Sequence, residues 1–307
     1  MLDNQLFKEK IGLVEHALDL FLPDSDCYPE SIHKAMRYSV FAGGKRIRPL
    51  LMMLSAELFT NDLNRIIPAA CSIELIHTYS LIHDDLPAMD DDTYRRGRLT
   101  CHKVFGEAIA ILAGDALLTR AFEIISEDVT HKCENPYSVK YSLKVKPEVK
   151  LNVINEIAKA AGVNGMIAGQ VIDIESEGKN PGNDVIEYIN KKKTGALIEA
   201  SIRLGVLLGG GKPEDLDVLG RFGSFIGEAF QLVDDLLDVQ GDSIKMGKDI
   251  GMDAQKEKAT LIAAEGISKT IEKRNRLHKQ AIDLLSSYGD AASSFRRVTD
   301  FIFFRDY

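Results

Sequence analysis

Apolar residues return every three or four positions through most of the chain. Phe7, Ile11, Val14, Leu18 and Phe21 mark one face of a helix entered through Asp3 or Asn4. Similar patterns run through 65–86, 108–127, 150–162, 184–209 and 216–240, and more weakly through 294–304. Strand-like alternation is confined to 137–146, YSVKYSLKVK, which fits a short hairpin or an irregular loop. The stretch 129–149 is polar and has no helical period, and GGGKPE (209–214) breaks two long helices apart. Gly- and Lys-rich 241–259 reads as a mobile loop. No linker, low-complexity tract or fixed-period repeat interrupts the chain, so the pattern predicts one all-α domain spanning 1–307.

Two of the predicted helices end in acid. The apolar segment IIPAACSIELIHTYSLIH runs into DDLPAMDDD, where Asp84, Asp85, Asp90, Asp91 and Asp92 fall within nine positions. Pro87 disfavours helix at Leu86 and removes a backbone donor, so the chain must bend there. That bend lets Asp90 swing back toward Asp84. Clustered carboxylates repel one another and raise each other's pKa, a cost that a divalent cation removes. A solvated acidic loop would use the same residues, and this cluster alone does not separate the two readings. The second cluster does. In FQLVDDLLD (230–238), Gln231, Asp234 or Asp235, and Asp238 recur along one stripe of an otherwise apolar helix. Three carboxylates so placed fit a solvated face poorly. Oxygen donors suit Mg²⁺, which keeps waters and shares substrate phosphates.

An anionic ligand needs cations as well as metal. AGGKRIRP (42–49) sets two glycines before Lys45, Arg46 and Arg48, with Pro49 opening the next helix, a good diphosphate site. It lacks P-loop spacing. Arg95 and Arg96 follow the first acidic cluster. KKKTG (191–195) places a glycine and three lysines inside a long helix, a kink aimed at an anion, with Lys193 beside Thr194 the candidate ligand. Lys245, Lys248, Lys256 and Lys258 populate the 241–259 loop. His77, two turns before Asp84, fits either a site or a packed core helix.

The 307 residues are 45% hydrophobic and carry 46 acidic against 38 basic side chains, a net charge of −8. That balance argues against a general nucleic-acid binder. Four cysteines without CxxC or Cys/His metal spacing read as reduced thiols of a cytoplasmic protein. No run of 18 apolar residues occurs, and MLDNQLFKEK lacks the apolar core of a signal peptide, so membrane insertion is not expected.

The ordered set GGKRIRP, HTYSLIHDDLPAMDDDTYRRG, KVFGEAIAILAGDALL, GQVIDIESEG, KKKTGALIEAS and FQLVDDLLDVQGD closely resembles the trans (E-type) polyprenyl diphosphate synthases, specifically bacterial farnesyl diphosphate synthases. The resemblance runs from about residue 30 to about 290. It implies an all-helical homodimer whose helical bundle surrounds a deep central pocket between two aspartate-rich helices. It implies Mg²⁺-dependent condensation of isopentenyl diphosphate with dimethylallyl or geranyl diphosphate, with three Mg²⁺ per site and Mn²⁺ as a substitute. Carried over residue by residue, Asp84, Asp90 and Asp234 ligate metal, and Asp85, Asp235 and Asp238 support them. Lys45, Arg48, His77 and Arg96 hold isopentenyl diphosphate. Arg95, Lys193, Thr194, Gln231, Lys248 and Lys258 hold the allylic diphosphate. Tyr79 and Ser80, just before the first aspartate, set product length, and a bulky Tyr79 resembles enzymes that stop at C15. A C10 or C20 product is the near alternative. A terpene cyclase has no second diphosphate for Lys45 and Arg48, and a non-catalytic partner subunit has no need of both acidic clusters. Two stretches depart from the family pattern: 129–149 is long, and KATLIAAEG stands after Lys258 where the family has Thr/Ser-Tyr-Pro.

Overall fold

Residues 67–84 carry apolar side chains on every side, so the helix they form has to be enclosed rather than laid on a surface. The computed structural model describes residues 5–126, 141, 143–179, 181–240, 262 and 265–305. The chain is all-α. Its helices are α1 (Gln5–Phe21), α2 (Glu30–Val40), α3 (Ile47–Glu57), α4 (Ile67–Asp84), α5 (Cys101–Phe105), α6 (Glu107–Ser126), α7 (Pro147–Ala161), α8 (Met166–Ser176), α9 (Asn183–Ile189), α10 (Ala196–Gly209), α11 (Pro213–Gln240), α12 (Ile267–Leu284) and α13 (Ser293–Phe304). Among the described residues the only strands are β1 (Tyr94–Arg95) and β2 (Arg98–Leu99), an antiparallel pair.

The chain divides into two compact units. One contains Gln5–Met53 and Asp62–Ile154. There α4 packs against α6 and α1, and α2 packs against α6. The α4–α6 approach is very close: a Cβ on Gly114 would stand 2.1 Å from His83 Nε2, so only glycine fits. Beneath the basic loop, Arg46 is fully buried and pairs with Glu74 at 2.8 Å and Glu15 at 2.6 Å.

The other unit contains Leu54–Asn61 and the described residues from Asn155 onward. Its centre is α11, packed by α10, α12 and α13. Phe222 on α11 meets Phe295 on α13 edge-on at 4.7 Å.

The helical periods forecast most of these elements. The 184–209 pattern divides as expected near Gly195: α9 and α10 are joined by a π-helical turn, Asn190–Gly195. Helix α3 begins at Ile47, so Pro49 sits inside its first turn rather than at its first position. The pattern missed α2, the short α5, α8 and α12. In α12 the buried residues are Thr270, Leu277 and Ala281, too polar and sparse to register as an apolar stripe. The tract 129–149 and the 241–259 loop, with Lys245, Lys248, Lys256 and Lys258, lie wholly or mostly outside the described residues, as does Cys133. The other three cysteines are free thiols. No described helix is long and apolar enough to cross a membrane.

Candidate active site

The first acidic cluster is a folded device rather than a run of loose charges. Helix α4 ends at Asp84, and Asp85 caps it. The Leu86 and Met89 amides donate to His83 O and Leu86 O, turning the chain through Pro87. The Asp90 amide then donates to the Asp84 carbonyl at 2.9 Å. That bond ties together the two residues expected to share a metal. Asp91 follows at φ 46°, in the left-handed region, which completes the reversal.

Asp85 and Asp92 flank this turn and share Arg95, whose Nε lies 2.5 Å from Asp85 and whose Nη2 lies 3.3 Å from Asp92. Burial pushes the Asp85 carboxyl up to about 6, against the pull of Arg95. Asp91 is exposed, with Lys103 3.5 Å away. The tight β1–β2 hairpin presents Arg96 at φ 53° and Gly97 at φ 74°. Arg96 donates to the Gly43 carbonyl, and its guanidinium lies against Gly44, where a Cβ would be 2.8 Å from it. The structure thus brings the GGKRIRP loop to the arginine that follows the acidic cluster.

His77 faces the same basic group. Desolvation, then the charges of Arg48, Arg96, Arg95 and Arg46, hold its pKa well below the usual 6.5. A neutral imidazole among guanidinium groups marks a place of positive potential, suited to an anion. Lys45 is half-buried and Arg48 is buried. Tyr38, Thr78, Ile82, Asp85, Arg95 and Arg96 help line a pocket here. Tyr79 is buried and meets His83 edge-on at 5.7 Å, and Ser80 Oγ donates to His77 O.

In the other unit the second cluster lies on α11. Asp235 and Asp238 are buried, while the Asp234 side chain is 41% exposed. Gln231 Nε2 donates to Asp235 at 3.0 Å, and Thr194 Oγ1 donates to Gln231 Oε1 at 3.2 Å. Lys193 pairs with Asp173 on α8 at 2.6 Å. Lys191 is exposed, and Lys192 donates to Asn164 O.

Both Lys193 and Thr194 come from the π-helical turn, and its placement depends on missing side chains. A Cβ on Gly169 would stand 2.1 Å from the Lys193 amide nitrogen, and one on Gly227 would stand 2.7 Å from Gly195 Cα. The turn is seated directly on α8 and α11, which aims Lys193 and Thr194 reproducibly. π-turns of this kind recur at functional sites.

Two participants escaped the sequence reading. Asp173 lay inside GQVIDIESEG, and its spacing to Lys193 gave no sign of a pair. Arg305 carried no motif signal at all, yet its guanidinium lies 2.7 Å from Asp234.

Among the described residues no three His, Cys, Asp or Glu side chains converge as a ready-made metal site. A Mg²⁺ shell needs only one or two carboxylates per ion, with waters and phosphate oxygens filling the remainder. The donors present fit that shell: all are oxygens, and Asp84 and Asp90 are linked through their backbone.

The polyprenyl synthetase family profile matches residues 29–291. The chain is 44% identical over 269 residues to a farnesyl diphosphate synthase of Geobacillus stearothermophilus, covering 88% of this chain and 86% of that one. It is 42% identical over 300 residues to the large subunit 1 of a chloroplastic heterodimeric geranylgeranyl pyrophosphate synthase of Arabidopsis thaliana, covering 96% and 77%. A crystal structure of an FPP/GFPP synthase from Zymomonas mobilis superposes with a TM-score of 0.82 at 34% identity, covering 97% of each chain. The chain belongs to the polyprenyl synthetase family.

Proposed function

We propose that the whole chain works as one catalytic domain, a Mg²⁺-dependent prenyltransferase that makes farnesyl diphosphate. It condenses isopentenyl diphosphate with dimethylallyl and then geranyl diphosphate. The observation that carries this reading is the metal-independent basic group. Arg96 packed on Gly43 and Gly44, with Arg48 and His77 alongside, gathers cationic groups that would hold a second diphosphate, besides the one held through metal at the aspartates. A cyclase, with one diphosphate to bind, has no use for it.

In this reading Asp84, Asp90 and Asp234 hold Mg²⁺, with Asp85, Asp235 and Asp238 supporting them. The bound ions supply charge neutralisation for a departing diphosphate. Lys193, Thr194 and Gln231 orient the allylic diphosphate, together with Arg95, Lys248 and Lys258. Lys45, Arg48, His77 and Arg96 fix isopentenyl diphosphate so that its double bond points at the allylic carbon. The allylic C–O bond breaks with its electron pair leaving on diphosphate. The isopentenyl π pair forms the new C–C bond, and a proton lost from the adjacent carbon goes to a released diphosphate oxygen. No side chain is required as sole base.

Relatives named for farnesyl and for geranylgeranyl products match at similar identity, so the C15 assignment rests on Tyr79. Its buried ring stands five residues before Asp84 on α4, where it would stop a growing tail. The enzyme works in the cytoplasm as a homodimer. Exposed Ala108, Ile111 and Leu112 on α6 form a surface that a second copy would cover.

The test is incubation with Mg²⁺, labelled isopentenyl diphosphate and each allylic starter, followed by sizing of the products. A C15 product is expected, and a longer one from Tyr79→Ala. No product with any starter would overturn the enzymatic reading. A C20 product from the unaltered chain would overturn the role of Tyr79.

A further inference from the structure

Arg305 follows α13, and its side chain is only 2% exposed. Its Nη2 donates to Asp234 Oδ1 at 2.7 Å and to the Phe230 carbonyl at 3.2 Å. Its guanidinium carbon lies 4.0 Å from the centre of the Phe230 ring. Its Nε is buried and has no hydrogen-bond partner among the described residues. The ring and the carbonyl hold the guanidinium on α11 independently of the carboxylate. A guanidinium cannot give up its proton to escape burial, so a positive charge is fixed permanently at this end of the second acidic cluster. The carboxylate it meets is the one exposed enough to take an ion.

We propose that Arg305 is a resident counter-ion that makes divalent-metal binding at Asp234 depend on diphosphate. The inference rests on Asp234 being a metal ligand, as proposed above. A bare divalent cation approaching Asp234 meets a carboxylate already neutralised and a fixed positive charge behind it. A carboxylate has two oxygens and several lone pairs, so Oδ2 can take an ion while Oδ1 keeps Arg305. That arrangement holds two cations near one carboxylate, and a diphosphate supplies the missing negative charge. Metal and diphosphate therefore bind this cluster cooperatively, and by linkage each raises the affinity of the other by the same factor. The site stays unloaded until the group that is to leave has arrived.

The experiment is Mn²⁺ binding to the full chain, followed by electron paramagnetic resonance, with and without inorganic diphosphate. The relevant sites are those lost in Asp234→Asn. Arg305→Gln is expected to bind Mn²⁺ alone about tenfold more tightly at those sites, and its gain on adding diphosphate is expected to shrink by about the same factor. Arg305→Lys, which keeps the charge, is expected to behave as the unaltered protein. Arg305→Met keeps the buried bulk and serves as the second neutral variant if Arg305→Gln melts early. Unchanged or weaker Mn²⁺ binding in a folded neutral variant would overturn the inference alone. If Asp234→Asn leaves Mn²⁺ binding untouched with diphosphate present, the metal-ligand reading falls first and the inference with it.

Discussion

His77 takes its character from its neighbours more than from its own chemistry. In the unfolded chain it titrates near the ordinary value of about 6.5. In the folded protein desolvation and four arginines hold it well below that. As pH falls below about 6.5 the unfolded chain binds a proton that the native chain refuses, so stability falls with it. Urea unfolding at pH 7.5 and pH 5.5 is expected to show a smaller loss in His77→Asn than in the unaltered protein. An equal loss would place His77 outside the basic group. Arg46 makes the complementary case. Its guanidinium and the Glu74 carboxylate are both buried, at 0% and 2% exposure, so Arg46→Ala strands a buried charge. A loss of about 3–5 kcal/mol is expected in equilibrium unfolding, whereas replacing Arg46 and Glu74 together by apolar residues costs much less. GGKRIRP gives no means of telling Arg46, which serves the fold, from Arg48, which faces His77. The difference lies in what each side chain meets across the fold, and the local motif is blind to that.

At the scale of the element, the acidic turn was legible because its causes are local. Pro87 forces the bend, and the six-residue spacing lets the Asp90 amide reach the Asp84 carbonyl. The π-helical turn was half legible. KKKTG announced a kink, but the socket that seats it comes from Gly169, about 25 residues earlier, and Gly227, about 30 later, whose role needs the packing of α8 and α11. Gly169→Ala drives a Cβ into the Lys193 backbone, which cannot swing aside as a side-chain tip can. A stability loss of about 1–3 kcal/mol is expected. A fall in kcat with the allylic substrate should accompany it, since Lys193 and Thr194 move together. Thermal unfolding and steady-state kinetics check both. A stable variant with normal kcat would show that the turn tolerates displacement. Helix α12 was illegible for a different reason, since its buried face is largely Thr270, Leu277 and Ala281.

For the molecule as a whole, helix periodicity alone gave the all-α class, because helical stripes need only adjacent helices to cover them. The pairing of Arg305 with Asp234 joins residues 71 apart and left no trace in local pattern. On α6, exposed Ile111 and Leu112 sit among polar neighbours such as Asp115. If the chain is the homodimer proposed above, Ile111→Glu with Leu112→Glu is expected to yield a monomer in light scattering after gel filtration, with α6 still folded. A dimer that survives would move the interface elsewhere.

Helix α4 carries His77, Tyr79 and Asp84 on one rod buried along nearly its whole length and wedged against α6 at Gly114. A rod packed in this way has little room to slide or rotate. In the proposed synthase it would serve as a ruler with fixed graduations, each residue a step of about 1.5 Å and each turn about 5.4 Å. If Tyr79 has the role proposed above, product length, measured from Asp84 as zero mark, becomes a question of which graduation bears the first bulky side chain. Changing the answer would then take one substitution and no new fold.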